Sequence, residues 1–239
     1  MDLEGVTALV TGGARRVGRA ITLGLASAGC NVVIHHGSSS DEAQETATEA
    51  RALGVAATVI QVDLASDAKS VFAAAADLAP IRILVNSAGV FPKDTLSAFS
   101  SEAWQEAMAV NALAPVVLTR DFAAQVGEEG GVVINVTDWR TERPYLEHFS
   151  YTLSKGALDT FTRAAAVALA PKIRVNAVAL GAILPPPGKD AEYLRRLATD
   201  IPLQRTGGTE PVVDAVLALV RNEFITGEIL RVDGGAHLA

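Results

Sequence analysis

Tyr151 and Lys155 stand four residues apart within Ser150–Ala170, a stretch whose pattern predicts one long helix, so both side chains fall on one helix face. A lysine ammonium beside a phenol favours the phenolate and lowers its pKa from about 10. A tyrosine so placed can donate and accept a proton near neutral pH, while the lysine is free to hold sugar hydroxyls. Such a pair is common by chance, and its meaning depends on what the rest of the chain builds around it.

A second group of residues stands near the start of the chain. Thr11-Gly12-Gly13-Ala14-Arg15-Arg16-Val17-Gly18 joins an apolar run, Val6–Thr11, to a predicted helix, Arg16–Ala28. Glycines there permit a tight turn and close helix–strand approach, and the helix N-terminus offers unpaired N–H groups to a pyrophosphate. Gly12, Arg15, Arg16, Val17 and Gly18 are the expected cofactor contacts. An NAD site usually carries an acidic residue after the second strand, whereas this chain has His35-His36-Gly37-Ser38-Ser39-Ser40. Arg16, with His36, Ser38 and Ser39, suits a 2′-phosphate and favours NADP(H); otherwise Arg16 is a solvated charge and the histidines merely end a strand. Asp63, followed by Leu64, is placed to accept from an adenine amino group. Asn86, Ser87, Ala88 and Gly89 would let backbone pass beneath the cofactor. Alone, each of these sites also fits a cap or turn.

Along the rest of the chain, short apolar runs alternate with amphipathic stretches, the pattern of a doubly wound parallel α/β sheet. Strands are predicted at Val6–Thr11, Asn31–His35, Ala56–Val62, Ile81–Asn86, Gly131–Val136, Arg174–Ala179 and Glu228–Val232. Helices are predicted at Arg16–Ala28, Asp41–Leu53, Asp67–Leu78, Ser101–Gln125, Ser150–Ala170 and Glu210–Val220. The stretch Gly181–Gly188, with Pro185-Pro186-Pro187, fits neither helix nor central strand. It follows the sixth strand, at the carboxyl edge where open sheets bind ligands. With a helix over Asp190–Asp200 it forms an expected lid spanning residues 181–200, and Gly181, Ile183 and Leu184 are expected near cofactor and substrate.

The bulk composition excludes several functions. The 239 residues suit one α/β domain, and a net charge of −7 disfavours nucleic acid and anionic membranes as partners. No apolar run reaches the roughly 20 residues that span a bilayer. Cys30 is the single cysteine, read as a small buried thiol, and His35, His36, His148 and His237 lack metal-ligand spacing. A soluble, reducing, cytoplasmic setting is the expectation.

Taken together, Thr11–Gly18, Asn86-Ser87-Ala88-Gly89, Asn111, Tyr151-x-x-x-Lys155 and Asp233-Gly234-Gly235 resemble the ordered motifs of the short-chain dehydrogenase/reductase family. The resemblance covers the whole chain. It implies a single Rossmann domain over residues 1–239, with a seven-stranded parallel sheet and helices on both faces. It also implies Tyr151 as general acid, Lys155 as its tuner and ribose ligand, and Asn111 as holder of a proton-relay water. The family's serine thirteen residues before the tyrosine is here Asp138. A carboxylate repels the negative charge developing on a carbonyl oxygen, but suits N–H donors or a C=N bond whose nitrogen gains a proton. Arg16 and Asp138 together resemble the pteridine reductase branch, and Thr137-Asp138-Trp139 and Asp233-Gly234-Gly235-x-His237-Leu238 are similar to bacterial dihydromonapterin reductases. Where that branch carries an aromatic stacking residue this chain has Val90, with Phe91 next; Phe91 or Trp139 could supply the stacking face. A small-molecule substrate is implied: a pterin, or alternatively a ketone or 3-oxoacyl compound. A catalytically silent cofactor sensor is the remote alternative. The resemblance further implies a homotetramer or homodimer built on the two long helices. The Ala164–Ala170 face fits that packing or packing on the sheet.

Overall fold

The computed structural model describes residues 1–186 and 188–239; Pro187, the last of the three expected loop prolines, lies outside the described residues. Seven strands form one sheet in the spatial order β3-β2-β1-β4-β5-β6-β7, all pairs parallel. They are β1 (Thr7–Thr11), β2 (Asn31–His36), β3 (Ala57–Gln61), β4 (Ile81–Asn86), β5 (Gly131–Asp138), β6 (Ile173–Leu180) and β7 (Ile229–Val232). The inner strands are apolar on both faces because helices cover both. One layer consists of α1 (Arg16–Ser27), α2 (Ser40–Ala52) and a late helix, Glu210–Arg221; Ile21, Leu25, Ala47, Val212, Val216 and Leu219 meet the sheet there. On the other face, α3 (Ser101–Gln125) and α4 (Phe149–Leu169) bring Leu118, Phe122, Ala165 and Ala166 onto Leu9, Leu84 and Val133. The doubly wound Rossmann expectation holds.

Three local expectations change. Asp67–Leu78 is not one helix but short pieces, Leu64–Asp67, Ala68–Ser70, Val71–Ala74 and Ala76–Leu78. α3 is continuous but contains a π-helical turn, Met108–Leu113, centred on the fully buried Asn111. By length and composition α3 could cross a bilayer, yet Leu118 and Phe122 bury it against the sheet. β5 runs two residues beyond its expected end, pairing Asp138 with Leu180. Asp138 is thereby held on rigid backbone at the carboxyl edge. α5 (Ala191–Ala198) occupies the expected lid helix, with the Asp190 carboxylate accepting from the Tyr193 N–H, and the late helix is numbered α6 hereafter.

Candidate active site

The strand order reverses between β1 and β4, and the crevice outside their carboxyl ends is where such folds bind dinucleotides. Gly12 adopts φ +63°, and a Cβ on it would lie 2.9 Å from the Cα of Ala88; one on Gly18 would lie 2.1 Å from the Gly12 carbonyl oxygen. No larger residue fits either place. The Thr11 hydroxyl accepts from the Ser87 and Ala88 amides at 3.0 Å each, which binds β1's end to β4's. Asn86 looks away from the crevice, donating to the Asn135 side chain at 2.8 Å, so its part is to fix the β4–β5 seam. Two observations fit a bound dinucleotide. Among the described residues, the amides that open α1, Arg16 to Gly18, have no acceptor, and the Nδ1 of the buried His36 has no partner.

The two arginines of the loop part company. Arg16, in the left-handed region at φ +55°, sends Nη2 to the Pro185 carbonyl at 2.7 Å. It therefore points toward the β6 side of β1, across the loop that follows β6, and not toward Ser38 and Ser39 beyond β2. The expected place of Arg16 was beside Ser38 and Ser39; in this structure its side chain is instead bonded to the loop after β6. Arg15 lies on the β2 side, 3.7 Å from Glu42 of α2. Ser38 is exposed and Ser39 buried. The Asp63 carboxylate is engaged in capping, accepting from the Ala65 amide at 3.0 Å and the Ser66 hydroxyl at 2.7 Å, with Leu64 buried behind it.

The chemical centre stands at the ends of β4, β5 and α4. The Tyr151 hydroxyl donates to Asp138 Oδ2 at 2.9 Å, while Oδ1 accepts from the Arg140 amide at 2.8 Å. Burial pushes the Asp138 carboxyl upward in pKa against the pull of those bonds and of Lys155. Tyr151 is raised well above 10, by burial first and then by the Asp138 charge. This corrects the expected depression by lysine: in the free protein the nearby carboxylate and the loss of water outweigh the ammonium, whose Nζ is 6.0 Å from the ring centre. Lys155 Nζ donates to the Val136 carbonyl at 2.8 Å, and burial lowers its pKa to about 8 despite the opposing pull of Asp138 and Asp159. Asn111 accepts from the Val90 amide and donates to the Val90 carbonyl and Ser154 hydroxyl, all within 3.0 Å. A Cβ on Gly89 would sit 3.2 Å from Asn111 Oδ1 and 3.7 Å from Lys155 Nζ. Asn111 and Lys155 are thus brought together beside Gly89.

The neighbouring aromatic rings sort differently from expectation. Trp139 is buried on Ile201 and Ala236, with the Arg140 guanidinium 4.3 Å over its ring, so it presents no open stacking face. Phe91 lies edge-on to Tyr151 at 4.5 Å and stacks on His148 at 3.7 Å; Val90 is half-buried. Gly181 donates to the Val232 carbonyl, and a Cβ on it would meet Asp233 Cα at 2.5 Å. Ile183 is buried and lines a cavity of about 520 Å³ with Ile201, Arg205 and His237, apart from Tyr151. Leu184 packs on the core of the α1 face. Three contributors went unnoticed in the sequence. His35 bonds the glycine loop, Asp94 caps α4, and Tyr145 stacks 4.9 Å from the Arg140 guanidinium. The first two join residues 23 and 56 apart in the chain, and the third needs the irregular turn after β5 to bring Tyr145 back over Arg140.

A cleft that cradles a dinucleotide and ends on a Tyr–Lys pair is that of a hydride-transferring oxidoreductase. The family model described as enoyl-(acyl carrier protein) reductase matches residues 12–237, and the chain belongs to the short-chain dehydrogenase/reductase family. It is similar to the FolM alternative dihydrofolate reductase 1 of Brucella canis, solved with NADP, at 39% identity and a TM-score of 0.96, covering 100% of this chain and 96% of that one. The Brucella suis counterpart, also with NADP, gives 40% and 0.95 over 100% and 97%. L-xylulose reductase of Bos taurus is 34% identical over 98% of both chains. The cofactor is NADP(H).

Proposed function

We propose that the protein reduces a C=N bond of a pterin-type substrate, such as a dihydropteridine or dihydrofolate, with NADPH. The observation that carries this reading is the Asp138–Tyr151 pair, a carboxylate 2.9 Å from the phenol where the family places a serine. Bound NADPH supplies the hydride. Asp138 then accepts N–H donors of the substrate, which releases the Tyr151 hydroxyl to turn to the ring nitrogen and give it a proton. Lys155 holds the ribose hydroxyls and supplies positive charge beneath the phenol as its proton leaves. Asn111 fixes the Val90–Phe91 wall beside the substrate. Arg15, on the β2 side, takes the 2′-phosphate with His36, Ser38 and Ser39. Likeness to the Brucella reductases supports the pterin reading.

A second reading, reduction of ketones, draws support from the bovine relative and from the burial that raises Asp138; a protonated carboxyl there would donate to a carbonyl oxygen. The two separate on NADPH oxidation followed by absorbance with dihydrobiopterin, dihydromonapterin, dihydrofolate and simple ketones. We expect dihydropterin turnover that falls at least about a hundredfold in Asp138→Ser. Turnover of ketones alone, kept or improved by serine, overturns the pterin reading.

The domain spans residues 1–239, and residues 181–200 serve as its lid, with the Arg16–Pro185 bond tying lid to cofactor loop. The apolar residues Leu113, Val116, Leu153 and Val167, exposed on α3 and α4, suit self-association as a homodimer or homotetramer. A single buried cysteine, Cys30, its thiol pushed up to about 12 by burial, suits a reducing cytoplasm.

A further inference from the structure

His35, next to last in β2, is 2% exposed and lies outside the chemical centre. Its ring spans three strand ends. Nδ1 accepts the Gly12 N–H at 3.2 Å, and Nε2 faces the Val62 carbonyl, just past β3, at 2.9 Å. The amide can only donate and the carbonyl only accept, so the ring is the neutral tautomer with its proton on Nε2. The main-chain carbonyl of the same residue accepts the Gly13 N–H at 3.0 Å. One residue therefore takes up the first two amides of the glycine loop, and the amides that open α1, Arg16 to Gly18, find no acceptor among the described residues. Burial lowers the ring's pKa against the opposing pull of the Val62 carbonyl, which keeps that neutral tautomer in place; His36 alongside acts in the same direction as burial, and β3 sets the uncharged Ile60 across from it.

The geometry points to His35 as a positioning residue for the phosphate loop: by holding back the Gly12 and Gly13 amides it leaves those that open α1, Arg16 to Gly18, to face the cofactor's pyrophosphate. The side-chain acceptor is the part that mutation can remove. Because the pyrophosphate is common to both nicotinamide cofactors, the contribution of His35 is the same for NADPH and NADH, unlike that of a 2′-phosphate ligand.

Fluorescence titration with NADPH and with NADH, together with steady-state kinetics, tests this on three variants. His35→Leu removes acceptor and donor. His35→Asn keeps an oxygen where Nδ1 stood, and His35→Gln reaches only toward the Val62 side. We expect the Leu and Gln variants to raise Kd and KM about tenfold for both cofactors, the size of one well-formed hydrogen bond, with kcat within about twofold. The Asn variant should bind within about twofold of wild type. Wild-type affinity in His35→Leu, a loss confined to NADPH, or an Asn variant no tighter than Gln at equal Tm would each overturn the assignment. Where the Leu variant does not fold, the Asn–Gln comparison decides alone.

Discussion

Lys155 carries the clearest pH signature of the site. Burial brings its pKa down to about 8, so the ammonium dominates below that pH and the neutral amine above it. The charged form is the one that can both hold ribose hydroxyls as a full donor and ease proton loss from Tyr151. The kcat/KM for NADPH should therefore stay level toward neutral pH and fall about tenfold per unit as pH rises beyond about 8. In Lys155→Arg the guanidinium does not titrate in this range, and the residual activity should lose that alkaline limb. A pH–rate profile of both proteins checks the point. Tyr151 is no competing source of the limb, since burial and Asp138 drive its pKa upward.

At the scale of elements, the site depends on how α4 begins. Asp94, 5% exposed, lies 56 residues upstream of Ser150 in sequence, and Oδ1 accepts the Ser150 N–H at 3.0 Å while Oδ2 takes the Ser150 hydroxyl. It sits where the helix dipole favours negative charge. His148, at φ +60°, precedes the first turn, and its Nδ1–H donates to the Pro92 carbonyl at 2.7 Å. The segment after β4 is thus bonded to the turn that carries Tyr151, and its Phe91 packs on His148 and Tyr151. Asp94→Ala should lower unfolding free energy by about 1–3 kcal/mol and reduce kcat by loosening Tyr151, whereas Asp94→Asn, which keeps an acceptor, should lose less of both. Chemical denaturation and steady-state kinetics measure the two effects. The π turn around Asn111 does comparable work from the other side, as it lets one side chain of α3 reach the Val90 backbone and Ser154 together.

For the molecule as a whole, the question is what covers the outer faces of α3 and α4. In the alanine-rich run of α4, Ala165 and Ala166 face the sheet while Ala164, Val167 and Ala168 face outward, where a partner copy would pack in the proposed assembly. Leu113 and Val167 are 58% and 82% exposed. Sedimentation equilibrium should give a mass above the 24.8 kDa of one chain. Leu113→Glu combined with Val167→Glu should shift it toward the single-chain value, because charge is excluded from a buried apolar contact. A wild-type protein sedimenting at 24.8 kDa would overturn the proposed self-association.

Alternation of apolar runs and amphipathic stretches was sufficient to place all seven strands, because parallel strands covered on both faces are written as short Val-, Ile- and Leu-rich runs. Gly12 and Gly18 were legible for a related reason: a Cβ at either would overlap neighbouring backbone, and such demands mark the sequence itself. The Tyr151–Lys155 pair was legible because a helix has a fixed period. Direction was not. Arg15 and Arg16 are neighbours of like charge, and only the folded loop sends one toward β2 and the other to Pro185. The pKa of Tyr151 likewise turned on the depth of burial and on a carboxylate 2.9 Å away. Periodicity and steric exclusion are local and leave their trace along the chain. Side-chain direction, desolvation and contacts such as His35–Gly12 or Asp94–Ser150 arise only when distant segments meet, and the tertiary structure decides them.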